Sequence, residues 1–303
     1  SNLCVESCDF SENESEMDGG GIWFGRPRNC EDPDVGRRLS VSDSAFSGNH
    51  GMVAGGALRV LDPRYHDGDV TSVRIARTSF SGNAGDYQGG AVQVQTYCCP
   101  LWGSCPEDCQ PLTVDITDCE FEENEADGGG GAMSLNVESD LDLTISDTTF
   151  DANGSDSSGG AVRVDHERSL SAWFTDCSFV DNYSLAHGGT FYIHLDGGVS
   201  PVGETLDLSF ERVILEGASA PYSTAVVYVT GLYDQCPDCG VISFTECEVV
   251  SNTILYGSSV MGVVQVPPTS TSLISVDTDW GEGPTDNYQH DIGVVQDGEY
   301  VTY

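Results

Sequence analysis

Short stretches in which apolar and polar residues alternate recur along the whole chain. Examples are Val114-Asp-Ile116 and Leu143-Thr-Ile145, and, after a pair of glycines, Val92-Gln-Val94 and Val162-Arg-Val164. A period of two is typical of β-strands that have one face on a core and the other in water. Gly, Asn and Asp interrupt the runs too often for amphipathic helices, which need about ten residues or more. The pattern therefore predicts an all-β protein of many short strands.

These strands belong to a repeated unit, Phe-x-x-Asn followed six residues later by a glycine pair and most often by alanine. The repeated asparagines are Asn13, Asn49, Asn83, Asn124, Asn153, Asn182 and Asn252. Phenylalanine stands three residues earlier at Phe10, Phe46, Phe80, Phe121, Phe150 and Phe179, and Val249 replaces it in the last copy. A constant unit with additions of variable length indicates a solenoid, in which each repeat adds one coil.

We predict a single right-handed parallel β-helix of about eight to nine rungs, with three short strands in each rung. Residues 1–264 hold the repeats, and residues 265–303 form a degenerate last rung of the same domain. Glycine turns the corner before the last strand of each rung. Asparagine tolerates the left-handed region, and we expect its amide to bond the asparagine or backbone of the next rung.

Insertions between repeats account for the variable spacing. They leave from one corner of the predicted coil, between its third strand and the next rung, at about 25–38, 61–72, 95–111, 195–205 and 230–240. Loops gathered on one edge of a rigid scaffold are where binding residues usually lie. The alternative is that the insertions only shield the edge of the sheet.

The combination of Phe-x-x-Asn with Gly-Gly-Ala resembles the repeat of the polymorphic outer-membrane proteins of chlamydiae and of related secreted β-helix proteins of other bacteria. The wider group is the pectin-lyase-like superfamily. The resemblance covers roughly residues 3–264. It implies a right-handed β-helix that is secreted or on a bacterial cell surface, and that is often adhesive. It carries over no catalytic residue, because the shared motif belongs to the scaffold.

The chain is strongly acidic, with 49 acidic and 11 basic residues in 303 and a formal net charge of −38. All of the basic residues are arginine, and lysine is absent. Phosphate binding needs cationic side chains, so this charge excludes nucleic acid as a partner and disfavours anionic membranes. It favours multivalent cations or salty surroundings, although self-repulsion for solubility explains it equally well. No apolar run approaches the roughly 20 residues of a membrane-spanning helix.

Two columns of carboxylates are candidate calcium ligands. One column stands three residues before the phenylalanine and the other three residues after the asparagine: Asp118, Asp147 and Asp176, and Asp86, Asp127 and Asp156. Side chains one rung apart lie about 4.8 Å from each other, so like charges repel unless cations screen them. Calcium binds carboxylate oxygens, and we predict a weak cation site along both columns. The alternative is a solvated acidic edge bounded by Arg77 and Arg212.

The 12 cysteines indicate an oxidising compartment. Cys236-Pro-Asp-Cys239 lacks a second pair at zinc-finger spacing, which favours disulfides over zinc. We predict disulfides among the cysteines in or beside the insertions: Cys4 with Cys30, two bridges within Cys98, Cys99, Cys105 and Cys109, and Cys236 with Cys239. Four others share an inward position two residues before the phenylalanine and are predicted to be buried free thiols: Cys8, Cys119, Cys177 and Cys247.

Two functions follow from these features. The first is a non-catalytic, extracellular or cell-surface protein that is structural or adhesive, and that stacks end to end or binds a host or cell-surface protein or glycan. The second is a polysaccharide lyase or hydrolase. Such a lyase needs an arginine or lysine base beside calcium-binding carboxylates, and a hydrolase needs convergent carboxylates. Lysine is absent and the carboxylates recur uniformly, so the sequence favours the non-catalytic role.

Overall fold

The apolar positions of each repeat lie on β-strands that pair with the same strands of the neighbouring repeats. In the computed structural model, the described residues are 2–25, 37–62, 70–97, 111–195, 205–221, 225–230, 240–254, 264–266, 271–279, 293–296 and 299–302. All of the regular secondary structure within these ranges is β-strand, and the strands form four sheets. Each successive rung adds one strand to each sheet, which is consistent with a parallel β-helix.

The first two sheets carry the strands on either side of the first corner. The first sheet contains Leu3–Glu6, Arg37–Ser42, Val70–Ala76, Leu112–Thr117, Leu141–Ser146, Leu170–Thr175, Leu206–Glu211, Gly240–Thr245 and Thr271–Val276. The second sheet contains Asp9–Ser11, Ala45–Ser47, Ser79–Ser81, Glu120–Glu122, Thr149–Asp151, Ser178–Val180, Ile214–Glu216 and Glu248–Val250. All pairings within these two sheets are parallel.

The third and fourth sheets lie before and after the glycine pair. The third sheet contains Glu14–Ser15, His50–Gly51, Ala84–Gly85, Glu125–Ala126, Gly154–Ser155, Tyr183–Ser184, Ser219–Ala220 and Thr253–Ile254. The fourth sheet contains Ile22–Gly25, Leu58–Asp62, Val92–Thr96, Met133–Val137, Val162–His166, Phe191–Leu195, Val227–Thr230, Val264–Val266, Gly293–Gln296 and Glu299–Thr302. Its last two strands form an antiparallel pair.

The prediction of three strands per rung is wrong, because a fourth strand lies between the asparagine and the glycine pair. In a typical rung it consists only of Glu125–Ala126, which pairs with Ala84–Gly85 before it and Gly154–Ser155 after it. Two residues are too short a run for alternation to be recognised in the sequence. The strand nevertheless forms because its backbone groups pair with both neighbouring rungs.

The core is built from identical positions stacked in register. Phe80, Phe121 and Phe150 pair directly across adjacent strands, and their ring centroids lie 4.8 and 4.7 Å apart. The same stacking continues from Phe10 through Phe179. Offset or parallel aromatic pairs contribute about 0.5–1.5 kcal/mol beyond the area that they bury. The strict spacing of phenylalanine in the sequence therefore becomes a continuous aromatic column along the long axis.

Left-handed backbone turns the chain at three corners of each rung that the structure describes in full. Between the first and second sheets, φ is 47–55° at Ser7, Asp43, Arg77, Asp118, Asp147, Asp176, Arg212, Glu246 and Asp277. Between the second and third sheets, φ is 52–66° at Glu12, Gly48, Gly82, Glu123, Ala152, Asp181, Gly217 and Ser251. The first glycine of each pair, as in Gly130 with φ 68°, makes the third corner. The left-handed residue is thus the one before the asparagine, and not the asparagine itself.

The second glycine of the pair has a different requirement, which is space. At Gly131 a Cβ atom would overlap the carbonyl oxygens of Gly154 and Gly160, both of which belong to the next rung. Backbone atoms cannot swing away as a flexible side chain can. The close approach of adjacent rungs therefore requires glycine at the second position of the pair.

Candidate functional surfaces

The repeated asparagines form a ladder inside the solenoid. Asn124 donates from its backbone N–H and from Nδ2 to Oδ1 of Asn153, at 3.1 and 2.9 Å. Its Nδ2 also donates to the carbonyl oxygen of Phe80 at 3.0 Å. Asn49, Asn83 and Asn153 repeat this pattern, and all four are fully buried. The ladder therefore joins rungs and satisfies turn carbonyls.

The two ends of the ladder differ from its middle. Asn182 donates to the carbonyl oxygen of Phe150 at 2.9 Å, and the Oδ1 of Asn252 accepts from the backbone of Ala218 at 2.9 Å. Asn13 is exposed, although its Nδ2 still donates to Asn49 at 2.8 Å. The interior asparagines are thus enclosed by protein, whereas the equivalent side chain of Asn13 is in contact with solvent.

The first acidic column lies at the corner between the first and second sheets, where it is exposed. Arg77 donates to both carboxylate oxygens of Asp43 at 2.7 Å. Arg212 makes the same paired contact with Asp176 at 2.7 and 2.8 Å. Hydrogen bonding to the guanidinium lowers the pKa of Asp43 and of Asp176. Since every member of the column has positive φ, tolerance of left-handed backbone explains aspartate there without a metal.

The second acidic column, Asp86, Asp127 and Asp156, is also exposed. Oδ1 of Asp86 lies 2.5 Å from Nε2 of His50 in the preceding rung. Within the described ranges, no group of three or more His, Cys, Asp or Glu side chains could hold a metal ion. The structure therefore does not bring either column, including Asp118, Asp147 and Asp176, into a calcium-coordinating group.

Three of the four inward cysteines are buried as thiols. Cys119, Cys177 and Cys247 are 5, 3 and 3% exposed. Each S–H donates to a carbonyl oxygen two residues earlier, at 3.2, 3.2 and 3.3 Å. Burial raises the pKa of Cys119 and of Cys177 to about 11 and also raises the pKa of Cys247. These thiols are therefore protonated at neutral pH and pack as small apolar side chains.

The prediction that Cys8 is also buried is wrong, since its side chain is exposed. Cys8 occupies the first described rung, and no other described rung packs against its outer side. Cys4 is likewise an exposed free thiol, and its predicted partner Cys30 lies outside the described residues. The remaining predicted disulfide cysteines also lie outside them: Cys98, Cys99, Cys105, Cys109, Cys236 and Cys239.

A buried arginine network lies on the outward side of the fourth sheet and was not foreseen from the sequence. Arg59 is 6% exposed and donates to the side-chain oxygens of Gln93 and Gln95. Gln93 in turn donates to Gln88 at 2.9 Å. Desolvation lowers the pKa of Arg59, and the carboxylate of Asp18, 3.4 Å away, opposes that shift. Gln93 is in register with Arg59, and Gln95 is in register with Leu61.

Further along the same sheet, an arginine and several rings stack on one another. Arg163 pairs with Asp165 at 2.7 Å, and its Cζ lies 5.0 Å from the ring centroid of Tyr192. Tyr192 stacks on Tyr228 at 5.6 Å, and Tyr228 stacks on His187 at 5.0 Å. The faces of these rings are largely taken up by one another. This half-buried group therefore packs mainly on itself along the outward side of the sheet.

An exposed apolar surface lies at the corner that joins the third and fourth sheets. We call Met17, Met52, Val53 and Tyr87 the apolar corner; they are 67, 44, 41 and 63% exposed. They occupy three successive rungs, because Asp18, Ala54 and Gln88, each next to a member of the group, pair in register. Met52 takes the position of Asp86 one rung earlier, since the preceding residues Gly51 and Gly85 pair in register.

His166, at the end of a fourth-sheet strand, is 1% exposed. Its Nδ1 and Nε2 lie 2.9 and 2.8 Å from the carbonyl oxygens of Val137 and Ser169. Burial lowers the pKa of His166 to about 4, although both hydrogen bonds and Asp140 oppose the shift and Arg168 adds to it.

His166 is therefore expected to make stability depend on pH. An unfolded histidine has a pKa of about 6.5, so the unfolded chain binds a proton between about pH 6.5 and 4 that the native chain does not. Native stability should fall by about 3 kcal/mol as pH decreases through that window. Urea unfolding of the wild type and of His166→Gln should show curves that converge towards low pH. Parallel curves would mean that the native imidazole is already protonated and donates to both carbonyls.

No helix in the described ranges is long and apolar enough to cross a membrane. No protein-family model, curated protein or solved structure matches the chain. The resemblance of the repeat to chlamydial outer-membrane proteins therefore rests on the Phe-x-x-Asn and Gly-Gly-Ala residues alone.

Proposed function

We propose that this chain is a non-catalytic structural and adhesive protein, a single right-handed solenoid that holds binding surfaces outside the cell. The observation that carries the proposal is the unbroken ladder from Asn49 to Asn182. Each interior amide in it is engaged with an adjacent rung. Because these amides are used in hydrogen bonds between rungs, we infer that the interior serves to keep successive rungs in register and the solenoid rigid.

General rules support the handedness and the location. Connections between parallel strands of one sheet are right-handed in almost all known cases. Twelve cysteines in a chain of this size favour an oxidising, extracellular compartment. The charge of −38 disfavours nucleic acid and anionic membranes as partners. It leaves cell-surface proteins, glycans and further copies of the chain as candidate partners.

The test combines surface binding with electron microscopy of the purified protein. We expect either saturable binding to immobilised cell-surface proteins or glycans, or fibres. Fibres made by end-to-end stacking should have an axial repeat of about 40 Å, the height of eight rungs spaced about 4.8 Å apart. A monodisperse monomer that binds none of these surfaces would overturn the proposal.

The same preparations should be assayed against acidic and neutral polysaccharides. Unsaturated products would be detected by their ultraviolet absorbance, and hydrolysis by new reducing ends. We expect neither signal above that of heat-denatured protein. Product formation that follows the folded protein through purification would replace the proposed function with a polysaccharide lyase or hydrolase.

A further inference from the structure

We propose that the apolar corner is a docking surface for a cationic segment of a partner protein that also presents apolar side chains. The inference rests on the proposed adhesive role and assigns it to one surface. It starts from the position of Met17, Met52, Val53 and Tyr87 on consecutive rungs at one corner.

The apolar corner is continuous across rungs. The backbone of Val53 donates to the carbonyl oxygen of Met17 at 2.7 Å, and that of Met52 donates to Ser15 at 3.0 Å. Tyr87 occupies the position of Val53 one rung further on, since Gln88 pairs with Ala54. Positions related in this way lie about 4.8 Å apart. The four side chains therefore form one continuous strip and are not separate exposed residues.

Other exposed apolar side chains are not part of this group. Leu185 lies at the same corner but three rungs beyond Tyr87, and Trp23 lies on a strand of the fourth sheet. Trp173 and Val241 lie on strands of the first sheet, and Ile214 lies on the second. Single exposed apolar residues are normal on a soluble protein, whereas a contiguous apolar surface usually marks an interaction site. The gathering of four such side chains at one corner is therefore the feature that indicates a partner.

Charge determines what kind of partner fits. Glu14 and Glu16 flank the strip in the first rung, and Asp127 follows Asp86 in the acidic column beside Tyr87; all of these side chains are exposed. A ligand that buries the strip must bring apolar groups to the centre and cations to the rim. A second copy of this chain, with its own net charge of −38, does not supply a cationic rim at this corner, and neither does an anionic membrane.

The corner combines a rigid backbone with adaptable side chains. Asp18, Ala54 and Gln88 pair as bridges, so the backbone is tied to the rungs on either side. Methionine is unbranched and fits irregular partners without rearrangement of the backbone, as at other Met-containing binding surfaces. Docking should therefore cost little ordering of the solenoid.

The test measures binding of a synthetic amphipathic peptide of leucine and lysine by fluorescence anisotropy at physiological ionic strength. A second peptide has serine in place of leucine and keeps the charge. We expect the leucine peptide to bind wild type at least tenfold more tightly than the serine peptide. The combined variant Met17→Ser, Met52→Ser and Tyr87→Ser should lose at least tenfold affinity for the leucine peptide.

The matched control is the combined variant Ile214→Ser, Val241→Ser and Ile274→Ser, which removes as many exposed apolar side chains from the first and second sheets. It should bind as wild type does, and all variants should melt as wild type does because the changes are exposed. Equal affinity of both peptides, or equal binding by the two variants, would overturn the inference. Surface adhesion that persists in the apolar-corner variant would also overturn it and leave the proposed function standing. Wild type that neither adheres to these surfaces nor forms fibres would remove the proposed function itself.

Discussion

Gly131→Ala is expected to lower the free energy of unfolding by more than about 4 kcal/mol, enough to prevent folding in a marginally stable chain. A methyl group at this position would occupy the space of the carbonyl oxygens of Gly154 and Gly160. Both atoms belong to the backbone of the adjacent rung and cannot move without breaking the pairing of the third and fourth sheets. The amount of soluble protein and the urea midpoint measure the effect.

Gly82→Ala is the matched control, because it adds the same methyl group to a glycine with left-handed backbone. Gly82 has φ of 59°, and its added Cβ would meet nothing within 4 Å. Ala152 already occupies the equivalent corner with φ of 53°. The control should cost about 1–2 kcal/mol, the usual penalty for left-handed backbone. If both substitutions cost the same, close approach of rungs does not explain the second glycine.

Asn124→Ala is expected to lower the free energy of unfolding by about 3–5 kcal/mol, the range for a broken buried hydrogen-bond network. The change removes the acceptor of the Asn83 backbone N–H and side chain, at 3.0 and 2.9 Å. It also removes the donor to Phe80 and Asn153, at 3.0 and 2.9 Å. The groups left behind are buried, so water does not replace the lost partners. Guanidinium unfolding with unchanged slope would measure the loss.

Asn13→Ala tests the same side chain at the exposed end of the ladder. Asn13 donates only to Asn49 among the ladder residues, and solvent reaches its amide. Its loss should cost about 1 kcal/mol or less. A comparable penalty at Asn13 and Asn124 would show that the asparagine matters locally in its own turn. It would argue against a role in joining rungs.

Much of the fold could be predicted from the sequence, because each repeat of a solenoid needs the same residue types at the same positions. The phenylalanine spacing predicted positions that stack on each other, and the structure pairs Phe80 with Phe121 and Phe121 with Phe150. Alternation predicted which residues of the longer strands face inward; Val114, Ile116 and Leu143 are buried. Each of these predictions was supported by several copies of the motif, so a chance match in one copy could not mislead it.

Other features could not be predicted, because they depend on which backbone lies next to a residue. Glu125–Ala126 is too short to show a strand pattern, yet it pairs with both neighbouring rungs. The left-handed backbone of Asp147 was not predicted, because no residue pattern at this position indicates a positive φ. Cys8 shares the column of Cys119 but is exposed at the edge of the described rungs.

The sequence by itself determined that the chain is all-β and repetitive, and it specified which positions of each repeat stack in the core. Periodicity and spacing encode those properties directly. Only the tertiary structure decided the number of strands per rung, which residues adopt left-handed backbone at the two corners before the glycine pair, and the surfaces. The burial of Arg59 and the exposure of Met17 depend on neighbours contributed by other rungs. Positions far apart in the chain become adjacent only when the rungs stack, and that adjacency creates the apolar corner.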